Sequence, residues 1–259
     1  MKIDIHTHCK WSKLSELSPQ YLQDMLDAAG EHLDVLALTE HFNTVNFDSI
    51  YDCLDEIAVY EAGHYRYKEL MILPGIEVDV AEGAHIVVIG ELAAIRTVSQ
   101  ALNPYRAGAA YIGLAQLLAL SEELDCVAIG AHPFREENSL YQISGDLLRR
   151  LDALDLNGRD LYKYGLQMEE RVQQLAEQLK LPVIAGSDTH HLAQYGCVYN
   201  TFTEQVTSAA ELRQALRSRS FYYSIAADLP AKVQLAEQEQ KKIKQAGSYT
   251  AAGKTTAVS

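Results

Sequence analysis

The segment IDIHTHCK, residues 3–10, carries Asp4, His6 and His8 at every second position. In a strand, successive side chains point to opposite faces. The three polar residues are therefore expected on one face, with Ile3 and Ile5 on the other. A carboxylate and two imidazoles set against an apolar face are costly unless something satisfies them, and a metal ion is the candidate. The rest of the chain repeats the pattern. Of nine histidines, six lie beside an apolar, β-rich run: His6, His8, His41, His85, His132 and His190. Five of these sit at or just after the carboxyl end of the run, and His85, which opens its run, is the exception. Glu77 lies near the end of another run, and Asp188 ends a further one. Nitrogen and oxygen donors without thiolate suit Zn²⁺, Mn²⁺ or Fe²⁺. These eight ligands exceed what one four-coordinate ion needs, and they suit two or three ions sharing a bridging carboxylate. Such clusters perform in-line hydrolysis. His32 and His64 fall in helical or loop stretches and are expected at the surface, while His191 neighbours the site.

Side chains scattered over the chain need a scaffold that brings strand ends together. Seven apolar runs are available, at 2–8, 34–39, 70–78, 85–90, 126–132, 151–156 and 182–188. Several are nearly all apolar, the mark of parallel strands covered on both sides. Between them lie amphipathic stretches expected to be helical: 18–30 with Ser18 as N-cap and Gly30 as a stop, 47–70, 109–124 and 161–180. This alternation indicates an α/β barrel or a doubly wound sheet. CVYNTFT (197–203) reads as a further strand and SAAELRQALRSRS (208–220) as a closing helix. Residues 1–228 are expected to form one domain, and 229–259 a polar helical extension with a frayed tail.

The bulk numbers set bounds. The chain has 259 residues, 48% hydrophobic and 22% charged, enough for one large domain with a buried core. No apolar run is long enough to span a membrane, the first strand leaves no room for a signal peptide, and the four cysteines have no CxxC spacing. A reduced, cytoplasmic protein is expected, with no membrane partner. The net charge of −13 argues against an extended nucleic-acid groove. The expectation is a small phosphorylated substrate and no long nucleic acid, because bound cations invert the field locally.

The motifs DIHTH (4–8), LTEH (38–41), PGIEVDV (74–80), HIVVIG (85–90), AHP (131–133) and GSDTHH (186–191) resemble, in this order, those of the PHP (polymerase and histidinol phosphatase) family. The resemblance implies a distorted seven-stranded (β/α) barrel like a TIM barrel, with a metal site at the C-terminal ends of the strands. It implies a metal-dependent phosphoesterase in which metal-activated hydroxide attacks phosphorus. It places His6, His8, Glu77 and Asp188 around one ion, with Glu77 bridging to a second held by His85 and His132. His41 and His190 belong to a third, and Asp4 orients an imidazole. Lys13 stands where the family completes the third site, and an ammonium is not a ligand. It leaves Glu16, water or an empty site, with Lys13 itself against the substrate anion. Arg135 in AHPFRE is the first candidate for a phosphate contact, since guanidinium matches phosphate bidentately, and Arg159 is the second. The rival readings are an exonuclease trimming oligonucleotides, a non-catalytic metal-binding regulatory module, and an amidohydrolase-type metallohydrolase, which the order of the Glu and His motifs disfavours.

Overall fold

The computed structural model describes residues 1–249. Along the chain run β1 (Lys2–Thr7), α1 (Pro19–Gly30), β2 (Val35–Leu38), α2 (Ser49–Ile57), β3 (Val59–Glu61), β4 (His64–Tyr67), β5 (Leu70–Val80), β6 (Ala84–Ile89), α3 (Leu92–Ala101) and α4 (Leu114–Glu123). There follow β7 (Val127–Gly130), α5 (Gly145–Leu148), β8 (Ala153–Asn157), α6 (Gly158–Tyr164), α7 (Gln167–Leu179), β9 (Val183–Gly186), β10 (Val198–Phe202), α8 (Ala209–Ser218), β11 (Phe221–Ile225) and α9 (Leu229–Ala246).

Every apolar run of the sequence becomes a strand, in the sheet order β1-β2-β5-β6-β7-β8-β9. The sheet then curls back on itself. Thr7 and Thr189 form a parallel bridge, and Asp188 N donates to His6 O at 2.8 Å and His8 N to Thr189 O at 2.9 Å. The result is a nearly closed, barrel-shaped α/β architecture. Its strands are not all parallel. β1, β2 and β5 run together, as do β7, β8 and β9, but β6 is antiparallel to both its neighbours. The cause is the length of the connection: only residues 81–83 separate β5 from β6, which suffices for a hairpin and not for a crossover. This reversal accounts for His85. At the start of an antiparallel strand it lies at the same end of the barrel as the carboxyl ends of the others.

Two helices expected from the sequence are broken. The stretch 47–70 gives α2 and then a β3–β4 hairpin whose turn residues, Ala62 and Gly63, have φ of +48° and +91°. Positive φ at both turn positions is the geometry that joins twisted strands tightly, and Val59, Tyr60, Tyr65 and Tyr67 favour the sheet. His64, expected at the surface, is consequently buried in β4. The stretch 161–180 is divided into α6 and α7 at Gly165, where φ is +81°.

The barrel interior holds one apolar residue set: Ile3, Ile5, Val35, Leu73, Ile89 and Ile129, with their neighbours. Its floor is α8, whose Ala209, Leu212, Ala215 and Leu216 belong to the same cluster. Ser208 caps that helix, its hydroxyl accepting from Glu211 N at 3.3 Å. The outward strand faces, including Leu36, Leu38, Val78 and Leu156, pack against the surrounding helices. α9 buries Leu229, Val233 and Ala236, and Gln240 donates to Trp11 O at 2.9 Å. The expected frayed tail falls mostly at 250–259, outside the described residues. Among the described residues no helix is long and apolar enough to cross a membrane.

Leu212→Ala would empty the middle of the barrel floor. It should lower unfolding free energy by about 2–5 kcal/mol, read by denaturant titration, while metal content per folded molecule stays unchanged because α8 caps the end away from the histidines.

Candidate metal centre

Strand β1 does not keep strict alternation. Ile3 and Asp4 pair with Val35 and Leu36, yet Thr7 pairs with Leu38. One extra residue is therefore inserted, and such a bulge re-aims a side chain. Ile5 and His6 both turn into the barrel. A Cβ on Gly186 would lie 3.1 Å from Ile5 Cδ1 and 2.5 Å from His6 Cβ, so only glycine fits beneath them. Asp4 is left on the outer face. Its Oδ1 accepts from His6 N at 3.2 Å and Ser187 N at 3.0 Å, and burial pushes its pKa up to about 6 against those bonds. The expectation that Asp4, His6 and His8 share a face, with Asp4 orienting an imidazole, is thus corrected. The bulge separates them, and Asp4 ties two backbone amides across the barrel seam.

The eight predicted ligands form one cluster around Glu77, which is 1% exposed. Glu77 Oε1 lies 2.9 Å from His85 Nδ1, 3.2 Å from His132 Nε2 and 3.4 Å from His6 Nε2. Its Oε2 lies 2.7 Å from His41 Nδ1 and 3.6 Å from His8 Nε2. Asp188 Oδ1 approaches His8 Nε2 at 3.2 Å, His190 Nδ1 at 3.7 Å and His6 Nε2 at 3.8 Å. The His8 and His190 rings stack at 4.1 Å. Both His132 and Asp188 hold positive φ, +30° and +55°, the sparsely populated backbone that recurs at functional sites.

A further ring of groups aims these side chains. Asp155 Oδ2 meets His6 Nδ1 at 3.0 Å and accepts from Asn157 Nδ2 at 3.1 Å. Glu40 Oε1 meets His8 Nδ1 at 3.3 Å and accepts from His41 N at 2.9 Å, while its Oε2 accepts from Lys10 N at 3.1 Å. Asp79 contacts His85 Nε2 and accepts from Asn43 Nδ2 at 3.0 Å. Pinning one ring nitrogen leaves the other free to ligate. Asp155 and Asp79 escaped the sequence reading. Each lies two residues beyond an inward-facing position, Ala153 and Glu77, so strand parity was the available signal.

Arg135 and Lys13 sit at the border of the cluster. Arg135 donates from Nη2 to Asp188 Oδ2 at 2.8 Å and Asn157 Oδ1 at 3.0 Å, and from Nε to Asp160 Oδ1 at 2.9 Å. Lys13 Nζ lies 3.4 Å from Asp79 Oδ2, with a third of its side chain exposed. Arg159 lies 3.8 Å from Glu237, and its charge also acts on Asp188 and His190.

Electrostatics sorts the groups by charge. Burial works to raise Glu77, but His41, His85 and His6 outweigh it and hold its carboxyl well below the usual range. Asp188 is likewise held down, against burial, by Arg135 and His6. Burial, with Arg135 beside it, drives His132 down to about 3. His41 and His190 are also lowered, burial being the main cause. His85 moves up to about 9, because Glu77 and Asp79 prevail over its burial.

The donor atoms fit divalent cations. His6 Nε2, His8 Nε2, His41 Nδ1 and Glu77 Oε2 are inaccessible and have no hydrogen-bond partner among the described residues. His41 Nδ1 and Glu77 Oε2 stand 2.7 Å apart. Each orphaned polar atom costs about 1–3 kcal/mol, which a cation would relieve. Three groups place one donor atom per residue within 4.8 Å of one another: His6–His8–Glu77, His41–Glu77–His85 and His8–His41–His190.

Comparison with known proteins agrees with this picture. The family described as PHP-associated matches residues 169–221, from α7 to the start of β11. No curated protein matches the sequence. Among solved structures, PsfC from Pseudomonas syringae PB-5123 superposes with a TM-score of 0.74 at 22% identity, covering 93% of this chain and 98% of its own. Endonuclease Q, in complex with a 27-mer duplex bearing an abasic lesion at the active site, gives 0.63 at 17% identity, covering 84% of this chain and 56% of its own. A two-domain protein from Bacteroides vulgatus containing a predicted PHP-like metal-dependent phosphoesterase gives 0.57 at 16%, covering 91% and 69%. These identities show a shared fold. They also overturn the expectation that excluded long nucleic acid, since endonuclease Q holds a DNA duplex on this architecture. Net charge averages over a whole surface, whereas bound cations set the field where a phosphate docks.

The raised pKa of His85 makes a pH prediction for protein stripped of metal. Its ion pairs with Glu77 and Asp79 contribute stability fully below the unfolded value of 6.5, and that contribution is lost as pH rises through about 9. The melting temperature of chelator-treated protein should therefore fall between those pH values. His85→Gln should flatten the slope, and an equally steep slope in that variant would sink the assignment.

Proposed function

We propose that the chain is a PHP-type metal-dependent phosphoesterase with its reaction centred on Glu77, a reading supported by the PHP-associated match over residues 169–221 and by the shared fold. The observation that carries this reading is the convergence of orphaned, buried donor atoms on Glu77. His6, His8, Glu77 and Asp188 would hold one cation, Glu77 with His85 and His132 a second, and His41 with His190 a third. Divalent cations there supply an activated water nucleophile and charge neutralisation for a phosphoryl group.

The protein's own groups do the rest. Asp155, Glu40 and Asp79 fix the imidazoles in single orientations. Arg135 spends Nε and Nη2 on Asp160, Asn157 and Asp188, which locks a ligand carboxylate and leaves Nη1 for a substrate oxygen. Lys13, at the rim beside Asp79, supplies a second positive charge to an incoming anion. A phosphodiester in nucleic acid is a second reading, favoured by the likeness to endonuclease Q.

The test is elemental analysis followed by assay on p-nitrophenyl phosphate, a nucleoside monophosphate, bis-p-nitrophenyl phosphate and a duplex with an abasic site. Chelation should abolish turnover and added Mn²⁺ or Zn²⁺ restore it. Glu77→Gln should lose at least ~100-fold in rate with the fold intact, since metal-assisted stabilisation supplies several kcal/mol. Near-native hydrolysis with full metal content in that variant would reject the assignment. Arg135→Ala should lower kcat/KM about 10- to 100-fold, the worth of one charge-assisted hydrogen bond or slightly more. An unchanged kcat/KM would leave Arg135 with no part in the reaction.

A further inference from the structure

The loop that leaves the metal centre carries an aromatic stack with no role in ligation. Directly after His132 the chain reads Pro133–Phe134–Arg135. Arg135 turns back to Asp188, while Phe134 stacks with Tyr141, ring centroids 5.2 Å apart and planes inclined by 26°. The Arg171 guanidinium lies 4.3 Å from the centre of the Phe134 ring. Tyr141 is nonetheless 46% exposed. The loop is held firmly. Leu140 is fully buried, filling the space where a Cβ on Gly130 would come within 2.8 Å of its Cδ1. Ser139 Oγ donates to Arg135 O at 2.8 Å, and Tyr141 N to Pro133 O at 3.2 Å. An exposed ring on so well-anchored a loop is preorganised for contact.

We propose that the Phe134–Tyr141 stack is a platform for a nucleobase, so that the phosphoester presented to the metal centre belongs to a nucleotide. The inference rests on the phosphoesterase reading and names its substrate class. Two neighbouring cavities flank the loop between the two places. One, of about 460 Å³, is lined by Arg135, which pairs with both Asp160 and Asp188, and by Arg159, Lys163, Glu137 and Glu237. The other, of about 330 Å³, is lined by Phe134, Tyr141, Tyr164 and Arg171. Glu136 lines both. A phosphate at Asp188 would lie beside the Arg135 guanidinium, in a cavity of mixed charge, with a flat aromatic surface across the adjoining cavity. Every base presents a π-face to such a surface, and stacking tolerates any sequence. Glu136 supplies a polar group for the edge of a base. A purely aliphatic phosphoester would leave the exposed face of Tyr141 unused.

The test is calorimetric binding to the metal-loaded full chain, which needs no turnover. The ligands are the non-hydrolysable 5′-phosphonate analogues of adenosine monophosphate and of ribose 5-phosphate, and a single-stranded octanucleotide. Wild type should bind at least one base-bearing ligand about 10-fold or more tighter than the ribose analogue, within the range one stacked base supplies. Tyr141→Ala should erase that advantage and leave ribose binding unchanged, and Tyr141→Phe should keep it. Whichever base-bearing ligand loses more in Tyr141→Ala identifies a free nucleotide or a strand as the source. No advantage in wild type, or one that survives in Tyr141→Ala, overturns the proposal. Tyr141-dependent base binding in a protein that hydrolyses no phosphoester would reject the hydrolase reading and leave the base site standing.

Discussion

A carboxylate buried to 1% exposure among five imidazoles is the arrangement on which the upper half of this barrel depends. Glu77 cannot be buried as an anion without compensation, and the compensation comes from strands far apart in sequence. His6 arrives on β1 and His8 just after it, His41 just after β2, His85 at the start of β6 and His132 just after β7. Their ends must meet at one place, which a curled sheet achieves and a flat one does not. β5 is long enough, at eleven residues, to pair first with β2 and then with β6. At its midpoint a Cβ on Gly75 would stand 2.7 Å from Thr39 Cγ2 and 3.0 Å from Val88 O, so the segments on its two edges close in where no side chain would fit.

The two ends of the barrel are built on opposite principles. The floor is apolar, with α8 packed under the inward faces of the strands. The upper end accumulates groups whose polar atoms lack partners. Stability is concentrated where no chemistry happens, and the cost of orphaned donors is placed where a ligand can remove it.

Charge is handled locally. Arg135, Asp160, Asn157 and Asp188 form one bonded group beside the histidines. It keeps Asp188 ionised despite complete burial. A net charge of −13 says nothing about this neighbourhood, and the expectation it prompted about nucleic acid did not survive comparison with endonuclease Q.

Much of this was legible from residue order. The apolar runs mark the strands because a strand covered on both faces must be apolar throughout, and histidines beside strand ends mark the convergent face. What escaped the sequence was local in origin and tertiary in effect. The bulge in β1 put His6 with Ile5 and expelled Asp4, because register against β2, not alternation within β1, decides which way a side chain points. The reversal of β6 followed from a connection too short to cross over. The stretch 47–70 turned from helix to hairpin where Ala62 and Gly63 accept positive φ. Asp155 and Asp79 became partners of histidines only once strands were placed side by side. Sequence determined which residues could do chemistry and near which strand ends they lie. Tertiary structure decided which of them face one another, because that depends on pairing register and on contacts between segments that no local pattern encodes.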